Sequence, residues 1–179
     1  GRTAASHTCA MGSYNNAYAF KMMSKFKKAQ LNFIVCPTEN CYLQGRYDSY
    51  PKRRGISRVD ELTQNELNVS FAQDSISDPW YPLGNGNLMH QLDFGLHLSH
   101  MMSVDEIKNS LKFVTENGAK TMCIKDYGIK EGNSANFVVL DEKNVFDAVR
   151  NTASTILSVR NGKVIMEKQP EKILTTYNF

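Results

Sequence analysis

Two points in this sequence place a metal-binding, proton-handling side chain where an apolar run gives way to a loop. Asp74 follows the run LNVSFA at 67–72, and His7 follows Ala4-Ala5-Ser6. Carboxylate and imidazole both ligate divalent metals, and both can take or give a proton near neutral pH when their surroundings tune them. Asp74 lies in the string FAQDSISDPWYPLG at 71–84, where the lone tryptophan, Trp80, sits between Pro79 and Pro82. A carboxylate at the tip of a buried strand, beside an aromatic loop, is where α/β enzymes place metals and substrates. An Asp in an ordered turn is the plain alternative. The second strand tip, at His7, is what favours chemistry.

Delivering both groups requires strands that run the same way. Residues 2–7 read as a strand end. Residues 14–28 place Tyr14, Ala17, Tyr18, Met22 and Phe26 at helical spacing, with Lys25, Lys27 and Lys28 suited to the helix's C-terminal end. The run LNFIVC at 31–36 suits a buried parallel strand, ended by Pro37. A long loop is expected over 38–55, a short helix over 59–65 and a strand over 68–72. Helices are expected over 87–102 and 104–117, the second opened by Ser103 with Glu106 in capping-box spacing and stopped by Gly118. Then come a strand at 136–140, a helical turn at 145–150, and a hairpin of 156–160 and 163–167 about Asn161-Gly162. Residues 169–179 read as a tail or edge strand. Three consecutive strand–helix units imply parallel pairing, so the class is α/β, with the C-terminal hairpin in a separate antiparallel element. Only about six residues precede the His7 tip, which suggests that the chain begins within a larger sheet.

Composition excludes several classes. With 179 residues, 41% of them hydrophobic, the chain can form one sizeable core. A net charge of +3 argues against a nucleic-acid partner, and the basic cluster Lys52-Arg53-Arg54 reads as a solvated loop. No apolar run approaches the roughly 20 residues that span a bilayer, and the first residues show no basic-then-apolar pattern of the kind a signal peptide carries. The four cysteines, Cys9, Cys36, Cys41 and Cys123, form no CxxC pair and read as reduced thiols of a cytoplasmic protein. His90, His97 and His100 fall near one face of an apolar helix and read as core or interface residues. Met22, Met23, Met101 and Met102 read as core packing.

Four strings carry a resemblance: HTCAMGSYNNAY at 7–18, LQGRYDSYPKRRGISRV at 43–59, DPWYPLGNGN at 78–87 and DYGIKEGNSANFVVLD at 126–141. They resemble the carboxyl-terminal part of the bacterial cytosine deaminases, members of the amidohydrolase superfamily. The resemblance runs from residue 1 to about 167. It implies a partial (β/α)8 barrel, its last three β/α units (strands six to eight) within 1–128, followed by part of a flanking β-sandwich in 129–179. A complete barrel of this kind takes about 250 residues.

The resemblance also implies one divalent metal ion, iron or zinc, with Asp74 as the ligand from the eighth strand. The family's other ligands, an HxH pair and a further His, have no counterpart here, and neither does its general-base Glu. The implied reaction is hydrolytic deamination of an amino-substituted ring: a water activated by the metal attacks the carbon bearing the amino group, and ammonia leaves. His7 would stabilise the attacking water or the tetrahedral centre. Trp80 would wall the pyrimidine pocket, and the loop at 44–54 would help cover it. Ser75 stands where many cytosine deaminases carry a substrate-contacting Asp, and Gln73 where His is common. Cytosine, a modified cytosine, isocytosine, creatinine and a triazine therefore stay open as substrates. A noncatalytic structural or interaction module also stays open, because a lone carboxylate makes a weak metal site. The raw edges of a partial barrel imply a homo-oligomer, or pairing with the N-terminal half of the barrel.

Overall fold

Three short strands, β1 (Ala4–Ser6), β2 (Asn32–Val35) and β3 (Asn68–Phe71), form the first sheet. In the computed structural model, which describes residues 1–53 and 55–169, their order is β1-β2-β3 and both pairings are parallel. Phe33, Val35, Val69 and Phe71 are buried, as expected for parallel strands covered on both faces. Ladder bonds continue past the strand ends: the His7 N–H donates to the Ile34 carbonyl at 2.8 Å, and the Ala72 N–H to that of Val35 at 2.9 Å. The segments leaving β1 and β3 are therefore both tied to β2. At the opposite end, Asn68 Nδ2 donates to Asn32 Oδ1 at 2.9 Å, and Asn32 Nδ2 donates to the Thr3 carbonyl at 3.1 Å. These paired amides satisfy buried polar groups and hold the register there.

Helix α1 (Asn16–Lys28) returns the chain to β2. Asn15 caps it by accepting from the Tyr18 N–H at 2.9 Å, and its last turn holds Lys25, Lys27 and Lys28. The stretch expected as a loop from residue 38 begins instead as helix α2 (Pro37–Leu43). Pro37 ends the strand as expected, but it also opens a helix, because its fixed φ and missing N–H cost nothing in a first turn. Helix α3 (Val59–Gln64) leads into β3 and buries Val59 and Leu62.

Helix α4 (Leu88–Leu98) packs Leu92 and Leu96 into the core. Its Gly95 meets β3 so closely that a Cβ there would lie 2.5 Å from the Phe71 ring. The Phe71 ring stacks on Phe113 with centroids 4.9 Å apart. The expected helix at 104–117 is broken into α5 (Val104–Lys108), a 3-10 turn (Ser110–Val114) and α6 (Glu116–Thr121). Both halves of the Ser103–Glu106 capping box form. The Ser110 and Thr115 hydroxyls donate to the Ile107 and Leu111 carbonyls, each at 2.7 Å, at the breaks. Gly118, expected as the stop, lies inside α6. His97 and His100 are exposed rather than in the core, and His97 pairs with Asp93 at 3.3 Å. Met23 and Met101 are buried, whereas Met102 is exposed.

The second sheet holds β4 (Phe137–Leu140), β5 (Thr155–Arg160) and β6 (Lys163–Glu167), all antiparallel, with α7 (Val145–Arg150) between its first two strands. Asn161 and Gly162, at φ +50° and +75°, turn the hairpin. Ala148 and Val149 of α7 join the same apolar cluster as β2 and β3. Of the tail expected over 169–179, all but Gln169 lies outside the described residues, as does Arg54 of the basic cluster. Among the described residues, no helix is long and apolar enough to cross a membrane.

Candidate active site

His7 and Asp74 leave their strands with φ of +64° and +67°, a left-handed conformation that His and Asp adopt more readily than most residues. Their strands flank β2, so the two tips start about 10 Å apart. The side chains lean across the end of β2 and bring His7 Nε2 to 3.5 Å from Asp74 Oδ2. Both remain open to solvent, 44% and 41% exposed. Cys36, the residue between β2 and α2, is buried close by. One ligand atom from each of His7, Cys36 and Asp74 falls within 4.8 Å of the others. Burial pushes the Cys36 thiol up to about 12, with Asp74 and Glu39 adding in the same direction. At neutral pH it is an uncharged thiol, not a nucleophile.

The first turn of α2 supplies a second row of polar groups. Thr38, Glu39 and Asn40 are all buried. Asn40 is fixed at both ends of its amide. Its Oδ1 accepts from the Cys36 N–H at 3.2 Å, and its Nδ2 lies 2.8 Å from His7 Nδ1. Thr38 is held by Gln91, whose Nε2 donates to the threonine hydroxyl at 2.9 Å. Glu39, only 2% exposed, has one carboxyl oxygen, Oε2, with no hydrogen-bond partner. Burial raises its pKa, the nearby carboxylates Asp74 and Asp78 add to that, and a hydrogen bond from Ser75 opposes it.

The loop after β3 completes the surroundings. Ser75 is buried and also hydrogen-bonds the Asp78 side chain. Asp78 Oδ1 accepts the backbone N–H of Trp80 at 2.9 Å and of Tyr81 at 3.0 Å, which holds its carboxyl below the usual range. Gly84 closes the loop: a Cβ there would lie 2.0 Å from the Ser75 carbonyl oxygen. The structure thus brings His7, Asp74 and Ser75 to one place. Trp80 stands on the same loop with its side chain 65% exposed. Cys36 is the buried thiol that its apolar run implies, but its place between the two strand tips does not follow from the sequence. Glu39 and Asn40 are not among the residues that the sequence singles out. The available signal was the polar pair Glu39-Asn40 directly after Pro37, at the end of an apolar strand. A cavity of about 830 Å³ lies elsewhere, lined by Leu88, Leu111, Val114 and Tyr127 among others, and holds none of these groups.

Parallel strands joined by helices, with a carboxylate and an imidazole meeting over their carboxyl ends, define an α/β protein whose candidate site lies where α/β enzymes carry theirs. The chain belongs to the amidohydrolase family, whose profile matches residues 1–166. It is similar to the crystal structure of 5-methylcytosine deaminase from Klebsiella pneumoniae liganded with 5-fluorocytosine. That similarity has 53% identity and a TM-score of 0.93, covering 98% of this chain and 43% of that one. Among curated proteins it is 23% identical over 170 residues to N-isopropylammelide isopropyl amidohydrolase from Pseudomonas sp. (strain ADP), covering 94% of this chain and 39% of that protein. It is 25% identical over 176 residues to pterin deaminase from Rhizobium rhizogenes, covering 96% and 39%. The chain therefore spans about two-fifths of the length of the relatives it matches.

Proposed function

We propose that this chain is the carboxyl-terminal part of a metal-dependent amidohydrolase that deaminates cytosine, or cytosine with a small substituent at C5, by hydrolysis. The observation that carries the reading is the meeting of His7 and Asp74, 3.5 Å apart, over the strand ends. The 53% identity to a 5-methylcytosine deaminase, sustained over 98% of this chain, supports the choice of ring. In this reading residues 1–128 hold the last three β/α units of a (β/α)8 barrel, and residues 129–179 belong to a flanking β-sandwich.

The donor atoms fit a metal. The Asp74 carboxylate, open to solvent at the strand tip, is a ligand that zinc and ferrous iron both accept, and the His7 imidazole and Cys36 thiol within 4.8 Å border that point rather than ligate. Asp74 is the residue assigned to hold the ion, with the remaining ligands supplied from outside these 179 residues. When bound, the ion acidifies water near neutral pH and polarises the reacting centre. Asp74, whose carboxylate stands open at the strand tip, takes the proton that water loses as its oxygen bonds to the ring carbon. His7 faces the same point and hydrogen-bonds the attacking oxygen as that carbon becomes tetrahedral and the displaced electron pair moves onto the neighbouring ring nitrogen. The proton is then returned to the exocyclic nitrogen, the ring nitrogen's pair re-forms its double bond to carbon, and the exocyclic carbon–nitrogen bond breaks to release ammonia and the hydroxy tautomer of the product. Ser75 and Trp80 border the ring: Ser75 sets the room beside Asp74, and Trp80 covers it from the loop. We also place the protein in the cytoplasm, because Cys9, Cys36, Cys41 and Cys123 form no disulfide.

A substrate panel tests this. Ammonia release from 5-methylcytosine, cytosine and 5-fluorocytosine, with isocytosine, creatinine and a triazine as competitors, is expected to favour the cytosines. Preference for another ring would leave the family standing and overturn the substrate. A protein carrying this chain that releases ammonia from none of them would favour the noncatalytic module.

A further inference from the structure

We propose that Asn40 is a positioning residue that fixes the His7 imidazole in its Nε2–H tautomer. The inference rests on the deaminase reading for its catalytic meaning, but not for its geometry.

The argument begins with a group that can only donate. The backbone N–H of Cys36 faces Asn40 at 3.2 Å, so the amide atom there must be the oxygen, Oδ1. That fixes which way round the amide lies, and its NH2 end, Nδ2, must then face His7 Nδ1 at 2.8 Å. An amide NH2 cannot accept, so Nδ1 has to offer its lone pair. A neutral imidazole carries one proton, which is left on Nε2, the nitrogen 3.5 Å from Asp74 Oδ2. Asn40 is 4% exposed and sits in the first turn of α2, so water does not compete readily for either bond. His7 is also held by its main chain, through its N–H to the Ile34 carbonyl at 2.8 Å.

The consequence is directional. With the proton on Nε2, His7 presents a donor to the open space beside Asp74 and can hydrogen-bond a lone pair of the attacking oxygen there. With the proton on Nδ1, it would present a lone pair to the same oxygen and repel it. Asn40 contributes to the reaction through this choice and need not touch the substrate.

The test is a pair of measurements on the protein as its cell makes it. Long-range nitrogen–proton correlation NMR of the histidine rings reads which nitrogen of His7 is protonated and needs no substrate. The wild type is expected to show a bare Nδ1 and a protonated Nε2. Asn40→Asp keeps the shape and the oxygen for the Cys36 N–H but replaces the donor with an acceptor, so Nδ1 is expected to become protonated. In turnover, kcat should fall by about 100-fold, as when a general acid–base or polarising group is misaligned, with KM changed less than about two-fold. A wild-type His7 protonated on Nδ1 overturns the proposal, and so does an Asn40→Asp variant with an unchanged tautomer or an unchanged kcat. If Asn40→Asp does not fold, the wild-type spectrum alone decides. A protein that shows the Nε2–H tautomer but turns over no aminopyrimidine retains the proposal and loses the deaminase reading.

Discussion

His7 Nε2 and Asp74 Oδ2 lie 3.5 Å apart although the residues follow strands that do not pair with each other, β1 and β3. Both residues have positive φ, and both side chains reach over the end of β2 to meet. A left-handed backbone at a non-glycine residue costs on the order of 1 kcal/mol or more, and such residues concentrate at functional sites.

That strain gives a first prediction. Asp74→Gly removes the Cβ penalty at φ +67°, whereas Asp74→Ala keeps it and loses the carboxylate. Asp74→Gly should be more stable than Asp74→Ala by about 1 kcal/mol in chemical denaturation, while both lose activity. Equal stabilities would show that the backbone there relaxes without cost.

Glu39 gives a pH prediction. Its folded-state pKa is raised, chiefly by burial. The folded protein therefore binds the proton more tightly than the unfolded chain. The stability linked to this group is fully present below the unfolded pKa and is lost as pH rises through the folded pKa. Glu39→Gln, which cannot ionise, should melt higher than wild type at pH 8 and show a much smaller gain at pH 4. An equal gain at both pH values would mean that Glu39 ionises freely in the folded protein.

The close approach of α4 to β3 gives a third. A Cβ at Gly95 would lie 2.5 Å from the Phe71 ring, which is itself stacked on Phe113. Gly95→Ala should destabilise by about 1–3 kcal/mol, the range for overpacking a filled core, despite alanine's better helix propensity. A stability gain would mean that the Phe71 ring moves aside at little cost.

How much of this was legible beforehand differs between kinds of signal. The strands β2 and β3 were readable because continuous apolar runs fit a strand covered on both faces, and Asn161-Gly162 marked its hairpin through the φ it demands. Asp74 was readable because it follows such a run, and His7 because it closes the short small-residue segment Ala4-Ala5-Ser6. Asn40 and Glu39 were not. Their roles depend on Pro37 starting a helix rather than a loop, and proline suits both. The break of the helix expected at 104–117 was hidden for a similar reason, since side-chain hydroxyls at Ser110 and Thr115 compete for carbonyls only once tertiary packing favours it.

The most direct test of the central claim is ammonia release from 5-methylcytosine and cytosine by the metal-reconstituted protein, wild type against Asp74→Asn and His7→Asn. The account predicts turnover by the wild type and falls of at least about 100-fold in kcat for each variant, with folding retained by circular dichroism. No turnover of either ring by the wild type, or full activity in Asp74→Asn, would contradict it.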